Sequence, residues 1–429
     1  MIGRRQFLAA GISAGTAAAA GFIVPGPAQT LAADPPKKPK IAFLGTVVYQ
    51  HSHAQHFLDR LTLGYVWQGR WQLPRVEIAS VYIDQQPEKD LAAERISRHG
   101  LKQFPSVAAA LTQGGSDLAV DGVVLIGEHG KYDVNERGQT KYPRYPWFKE
   151  CVKVFERSGR AVPIFNDKHL STDWNECQEM IADSERLKFP FLAGSSLPVT
   201  WRLPSVDVPH DAPLSESVSV GYGGVDSYDI HALETAQCMS ERRKGGETGI
   251  RSMQAVRGDD AWKILESPDR QQTRDLIVAA LCRSHTLPVE TGYPSDAVTF
   301  AWARKALTSL TAYFIEHVDG FRTTMLLTSV RDFTYAGRRS DTGDVISCQM
   351  YLPMPGSSAT TADFFNPLTR HLEDMILTGK SPYSAKRTLL TSGIVIAAVE
   401  SLHTGHRVVE TPHLQFAYQG PKESTYWRD

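Results

Sequence analysis

Four short stretches hold most of the side chains that could do chemistry. The first carries His51, His53 and His56, and the second Glu128, His129 and Lys131. The third carries Asn166, Asp167, Lys168 and His169, and the fourth Ser195 and Ser196, with Arg202 soon after. Imidazole, carboxylate and amine side chains move protons in catalysis when their surroundings bring their pKa values near the working pH. Imidazole and carboxylate also hold zinc and similar divalent ions, where an open coordination position activates water or polarises a carbonyl. A His-x-His pair such as His51 and His53 is a weak metal signal by itself, because polar residues at a helix start are often caps.

Each stretch follows a short apolar run that reads as a buried strand: residues 41–45 (IAFLG), 121–126 (DGVVLI), 162–165 and 189–194. A further strand over residues 76–83 ends at Asp84. Helical patterns fall between them, over residues 54–63, 88–99, 105–111, 145–158 and 173–187. The last sets Cys177, Met180, Ile181, Ser184 and Leu187 on one face. Strands alternating with helices build βαβ units, hence an α/β, Rossmann-like doubly wound parallel sheet whose ligands bind beyond the carboxyl ends of the strands. All four stretches stand at those ends, so separate loops deliver His, carboxylate and Lys toward one crevice.

The pattern changes after Trp201. A helix near residues 228–242 leads into β-like segments at 250–256, 310–318, 321–328, 331–335 and 345–352, with Asp319-Gly320 as a hairpin signal. Two helices follow. The first carries Phe364, Phe365, Leu368, Leu372, Met375 and Ile376 on one face, and the second spans about residues 387–402. These elements predict a C-terminal α+β domain on a mainly antiparallel open sheet. Residues 142–147 (YPRYPW) form a rigid aromatic loop near the crevice, whose aromatics either stack on a sugar ring or pack the loop, with packing slightly favoured. Residues 241–247 read as a helix C-terminus, with Arg242 and Arg243 over the dipole and a glycine stop. Tyr222, Tyr228 and Arg338 are further candidates for the second domain's side of the crevice.

The segment Ile164-Phe165-Asn166-Asp167-Lys168-His169-Leu170 is similar to the strand-end EKP segment of the Gfo/Idh/MocA family, the glucose–fructose oxidoreductase and inositol dehydrogenase relatives. Lys168 falls on the family's lysine and Asp167 on its glutamate, while His169 replaces its proline. Gly223-Gly224 leading to Asp226, Asp229 and His231 resembles the family's GG…D…H segment, whose histidine helps deprotonate a substrate hydroxyl. Residues 373–391 (EDMILTGKSPYSAKRTLLT) are similar to its closing helix pair. The resemblance implies NAD or NADP as cofactor, a sugar or polyol as substrate, and a homo-oligomer formed through the C-terminal sheet. It also implies catalytic roles for Lys168, His231 and Asp229, and a cofactor site touching Gly45, Asp84, Glu128, His129 and Asp167. One departure stands out. Where GxGxxG brings backbone against a pyrophosphate, this chain has Gly45-Thr46-Val47-Val48-Tyr49-Gln50-His51-Ser52-His53, and only Gly45 remains. Asp84 is placed for a ribose hydroxyl, though farther along than the usual ~20 residues after the glycines.

Three readings of the crevice stay open: dehydrogenase chemistry at Lys168 and His231; a divalent metal on His51, His53 and His129 with a carboxylate; and carbohydrate binding without turnover. The formal charge of −1 with no long single-sign block argues against nucleic acid as a partner. Five scattered cysteines show no disulfide framework, and Cys177 and Cys238 sit at apolar-periodic positions. Arg4 and Arg5 followed by an uncharged Ala/Gly-rich stretch, Pro25, Pro27 and small residues at Ala28, Ala32 and Ala33 read as a twin-arginine signal. That implies the twin-arginine translocase as partner and a periplasmic or extracellular site of action. The expected organisation is a signal over residues 1–33, a linker over 34–39, a Rossmann-like nucleotide-binding domain over 40–200, an α+β substrate and oligomerisation domain over 201–405, and a tail over 406–429.

Overall fold

The computed structural model describes residues 37–287, 299–353 and 362–427. The expected signal, with Arg4 and Arg5, and residues 34–36 of the linker lie outside them. Among the described residues no helix is long and apolar enough to cross a membrane.

The first part of the chain runs β1 (Lys40–Gly45), α1 (His53–Leu63), a small hairpin β2 (Tyr65–Trp67) and β3 (Arg70–Gln72), β4 (Glu77–Ile83), α2 (Ala92–His99), α3 (Val107–Thr112), β5 (Gly122–Ile126), α4 (Arg144–Ser158), β6 (Ile164–Asp167), α5 (Trp174–Leu187) and β7 (Phe191–Gly194). Five of these strands form one sheet in the order β4-β1-β5-β6-β7, and every pairing is parallel. The runs that read as apolar on both faces are so because helices cover both. Ala42, Leu44, Val123 and Leu125 face α3, α4 and α5. Ile41, Phe43, Val124 and Ile126 face α1 and the C-terminal helices. The register sets Gly45 beside Ile83 and Ile126, and Asp167 beside Gly194, so the strands end on one edge. Strand β6 lies two residues later than its sequence pattern predicts, which makes Asp167 its last residue.

The second part begins with β8 (Arg202–Leu203), β9 (Leu214–Tyr222), α6 (Asp229–Ser240), β10 (Ile250–Arg257), α7 (Gly258–Leu265), α8 (Gln271–Leu281) and α9 (Phe300–Ala306). It continues through β11 (Leu310–His317), β12 (Arg322–Thr328), β13 (Phe333–Arg339), β14 (Val345–Met350), α10 (Asn366–Thr378), α11 (Lys386–His403) and β15 (Val409–Glu410). The sheet order is β15-β10-β11-β12-β9-β13-β14-β8, antiparallel except where β9 runs parallel to β12. Strand β9 (LSESVSVGY) escaped the sequence reading because its alternation is serine against valine. Val218 and Val220 face α7, α8 and α9. Ser219 donates to the Ala232 carbonyl of α6 at 3.0 Å, and a Cβ on Gly221 would lie 2.7 Å from that of Ala232. Small side chains on that face let α6 lie close to the sheet.

Helices α7 to α9 cover one face of this sheet with Trp262, Leu265, Leu276, Ile277 and Leu281. The last stretch, expected as a tail, is also packed: β15 pairs with β10, and Leu414 and Tyr418 are buried in the main core. Helix α11 is tied to α6 by a buried ion pair, Arg387 with Glu241 (Nε–Oε2 2.9 Å), with the guanidinium lying over the Tyr383 ring. Residues Lys38–Asp429 make one compact unit, and one apolar cluster runs from β1 through α6 to α11.

Asp229 opens α6 fully buried and accepts a hydrogen bond from the Tyr313 hydroxyl of β11 at 2.9 Å. Burial pushes its carboxyl up to about 7. A folded-state value raised above the unfolded one stabilises the protein at low pH, and that contribution is lost as the pH rises through the folded value. Asp229→Asn keeps an oxygen for Tyr313 and removes the titration. In urea unfolding it is expected to gain a few kcal/mol relative to the parent between about pH 4 and about pH 8. Parallel pH dependence in the two proteins would contradict this.

Candidate active site

The carboxyl edge of the parallel sheet opens on a cavity of about 560 Å³, closed on its far side by α6 and the loops of the second sheet. Lys168 stands in its wall. Its backbone, just past β6, is left-handed (φ 63°) and donates to the Gly194 carbonyl at 3.2 Å. Such a conformation in a residue other than glycine is costly and is usually kept where it aims a functional side chain. Here it sends the ammonium to three acceptors: Glu128 Oε1 at 3.1 Å, His53 Nε2 at 3.2 Å and His231 Nε2 at 3.4 Å. An ammonium has three hydrogens to donate, and each has a partner.

The acceptors come from three elements. His53 begins α1, and its Nδ1 lies 2.8 Å from the carboxylate of Asp167. With Nδ1 on that carboxylate, Nε2 faces Lys168. Glu128 follows β5. Burial disfavours its charge, but His53, Lys168 and the His53 N–H together hold its carboxyl well below the usual carboxylate range. His231 lies on α6 with Nδ1 buried and unpartnered. Burial first, then the Lys168 charge, keep it neutral far below the ordinary histidine value. His56, on the next turn of α1, is pushed down to about 3 by burial and then by Arg60. Beneath the site, Gly194 has φ 119°, and a Cβ there would lie 2.4 Å from the Glu234 carboxylate, which accepts from the Ser195 N–H at 2.6 Å.

Of the residues singled out in the sequence, Lys168, His231, Glu128, His129, Asp167, His53 and His51 come to this cavity or its wall. Asp229 does not. Its carboxylate is spent inside the fold on Tyr313 and the Ile230 N–H, so it is no proton acceptor for a ligand. Arg202 is buried on Asp207 at 2.8 Å, Arg338 lies 3.5 Å from Asp275, and Arg243 pairs with Glu247 at 3.0 Å, so none serves the cavity. Tyr142, read as packing slightly ahead of stacking, lines it. Arg331, Phe333 and Phe365 line it too and were missed, since nothing in their sequence neighbourhood distinguishes them.

The metal reading fares poorly. Among the described residues no group of three or more His, Cys, Asp or Glu side chains is arranged to hold an ion. The place between His53, Glu128 and His231 is taken by the Lys168 ammonium.

A dinucleotide, implied by this kind of sheet, would cross the mouth of β1, and the residues there do not fit it. The N-terminus of α1, where a pyrophosphate would sit, already has acceptors: Ser52 caps Gln55 at 3.2 Å, and Glu128 accepts from the His53 N–H at 2.8 Å. A phosphate would meet that carboxylate as a like charge. Val47 and Val48 are buried in the turn, and a Cβ on Gly45 would meet Ile83 Cδ1 at 3.1 Å, so that glycine faces protein side chains. Asp84 accepts from the hydroxyls of Tyr82 at 2.6 Å and Tyr132 at 2.7 Å, so each of its oxygens already has a partner. None of residues 45–49 or Asp84 lines the cavity.

No protein-family model and no curated protein sequence matches this chain. Solved structures do resemble it. GenD2 from gentamicin A biosynthesis, in complex with NAD, matches with a TM-score of 0.54 at 12% identity, over 87% of this chain and 96% of that one. The myo-inositol dehydrogenase of Lactobacillus casei, with NAD(H) and myo-inositol, matches at 0.52 and 11% identity over 87% and 96%. The scyllo-inositol dehydrogenase of Lactobacillus casei, with bound NAD(H) and scyllo-inositol, matches at 0.52 and 10% identity over 87% and 99%. The shared feature is the fold: a Rossmann-like parallel sheet followed by a C-terminal mixed sheet, the Gfo/Idh/MocA dehydrogenase fold.

The altered mouth of β1 has a direct test. Titration of the purified chain with NAD, NADP and their reduced forms is expected to show no saturable binding by calorimetry, and acid extraction to release no nucleotide. A bound nucleotide, or micromolar affinity, would overturn the misfit.

Proposed function

We propose that the cavity is the active site of an enzyme that moves protons on a sugar or polyol. The observation that carries the reading is the Lys168 ammonium, held among Glu128, His53 and His231 in the wall of a cavity large enough for a sugar. A substrate oxygen entering there takes an N–H from Lys168 in place of one of the three acceptors. Lys168 thereby stabilises charge developing on that oxygen. As the substrate O–H bond breaks, the freed imidazole, neutral at physiological pH in the case of His231, receives that hydroxyl's proton at Nε2. Asp167 holds the His53 ring in place through its hydrogen bond at Nδ1. Glu128 pairs with Lys168 and aims it.

A second reading is oxidation of that hydroxyl with NAD or NADP. The fold shared with dehydrogenases solved with NAD supports it, as does the resemblance of the segments around Lys168 and His231 to the family's lysine and histidine segments. It requires Glu128 and the Tyr132 loop to leave the mouth of β1, so nucleotide titration separates the two readings. Export through the twin-arginine route to the periplasm or beyond belongs to the proposal as well, and rests on Arg4, Arg5 and the stretch that follows.

Lys168→Met is expected to lower kcat/KM on any sugar or polyol that the parent converts by about 10²–10⁴-fold, with Tm within a few degrees of the parent. Retained turnover would sink the assignment. Absence of turnover in the parent across a panel of sugars and polyols would favour binding alone. With Arg4→Lys and Arg5→Lys together, the chain is expected to stay in the cytoplasm in cell fractionation; continued export would count against the twin-arginine reading.

A further inference from the structure

The geometry points to an anion subsite at Arg331 on the lip of the cavity, and so to an acidic sugar as the substrate class. This rests on the reading above only in taking the ligand to be a sugar. The charges lining the cavity are Lys168, Arg144 and Arg331 against Glu128 and Asp226. Lys168 is matched by Glu128 at 3.1 Å. Arg144 is buried, donates to the carbonyls of Gly127 at 2.8 Å and His169 at 3.1 Å, and has Asp226 as its strongest opposing charge. Asp226 is itself engaged by the Gln139 amide at 2.9 Å and the Thr140 N–H at 3.3 Å. That leaves Arg331. Among the described residues it has no ion pair and no hydrogen bond, and its guanidinium carbon lies 5.5 Å from the centre of the Tyr222 ring.

The space between Arg331 and Lys168 is bridged by aromatic surface. Tyr228 stands edge-on to Tyr222 with centroids 5.4 Å apart, and its ring lies 6.0 Å from that of His231. Burial raises the Tyr228 hydroxyl's pKa, while Lys168 and Arg331 both act to lower it, so that hydroxyl lies in the field of both cations. A glycine permits this placement: Gly223 has φ 100°, and a Cβ there would come 2.4 Å from the Tyr228 ring. A sugar lying along Tyr228 would thus reach Lys168 with a hydroxyl and Arg331 with an anionic substituent. A guanidinium stacked on a ring keeps its N–H edge for a planar or tetrahedral oxyanion, as carboxylate and phosphate recognition commonly requires. The shared chemistry is an oxyanion on a sugar, either the carboxylate of a uronate or a phosphate or sulfate ester.

Calorimetry on the whole chain at low salt tests this with four probes: glucose, glucuronate, glucose 6-phosphate and glucose 6-sulfate. At least one anionic sugar is expected to bind about tenfold or more tightly than glucose, and the winning member tells a carboxylate subsite from an ester subsite. Arg331→Gln is expected to remove that advantage while leaving Tm and glucose affinity unchanged. Arg257→Gln, in a neighbouring pocket and also without an ion pair among the described residues, is the charge control and is expected to keep the advantage. Equal binding of neutral and anionic probes, no binding of any probe, an advantage that survives Arg331→Gln, or equal loss in both variants overturns the subsite. Binding is read apart from turnover, so loss of preference in Arg331→Gln with turnover intact in Lys168→Met would keep the subsite and remove the proton-transfer reading.

Discussion

An ammonium with a tenth of its side-chain surface exposed must be met by acceptors and by opposite charge, because the interior repays lost hydration only through close partners. Lys168 sets that constraint, and the surrounding elements answer it. The loop after β5 supplies Glu128, the start of α1 supplies His53, and α6 supplies His231. The backbone of Lys168 itself is held left-handed against β7. Three segments far apart in sequence therefore converge on one nitrogen, and the wall of the cavity is as fixed as the sheet beneath it.

The same constraint explains how a shared frame comes to have different contents. In sheets of this kind the N-terminus of the first helix attracts an anion. Here Glu128 fills that role with a protein carboxylate, and it simultaneously balances Lys168. The glycines that a bound pyrophosphate would need have no task, and Val47 and Val48 pack where they would stand. Tyr82 and Tyr132 close over Asp84 in the same way. The frame persists because its core depends on the strand and helix faces. Its mouth has been rebuilt because only loop residues determine that.

The sheet strands were legible because apolar runs buried on both faces look alike wherever they occur, as in IAFLG and GVVLI. Strand β9 was not, since its serines carry no hydrophobic signal and are buried only because α6 approaches them closely. Helices α7 to α9 were missed for a related reason: they are short, and their apolar residues count only once the face of β9 and its neighbours needs covering. Asp229 looked like a proton acceptor because the resemblance placed it beside His231. The two are only two residues apart, on opposite faces of a helix of 3.6 residues per turn, so Asp229 turns inward to Tyr313 while His231 faces the cavity. Arg331 left no trace at all, being one exposed arginine among many until its lack of a partner could be seen.

By itself the sequence determined the order of elements, the doubly wound sheet, the missing glycine fingerprint, and the gathering of His, carboxylate and Lys at strand ends. These follow from local periodicity and from the rule that parallel strands end together. What only the tertiary structure decided was which of those groups touch. That choice depends on register, on one left-handed backbone at Lys168 and on how closely α6 packs, and these are distances between residues far apart in the chain. The meaning of Glu128 shows the difference best. In sequence it is one acidic residue after a strand; in the folded chain it is the anion that α1 and Lys168 both require.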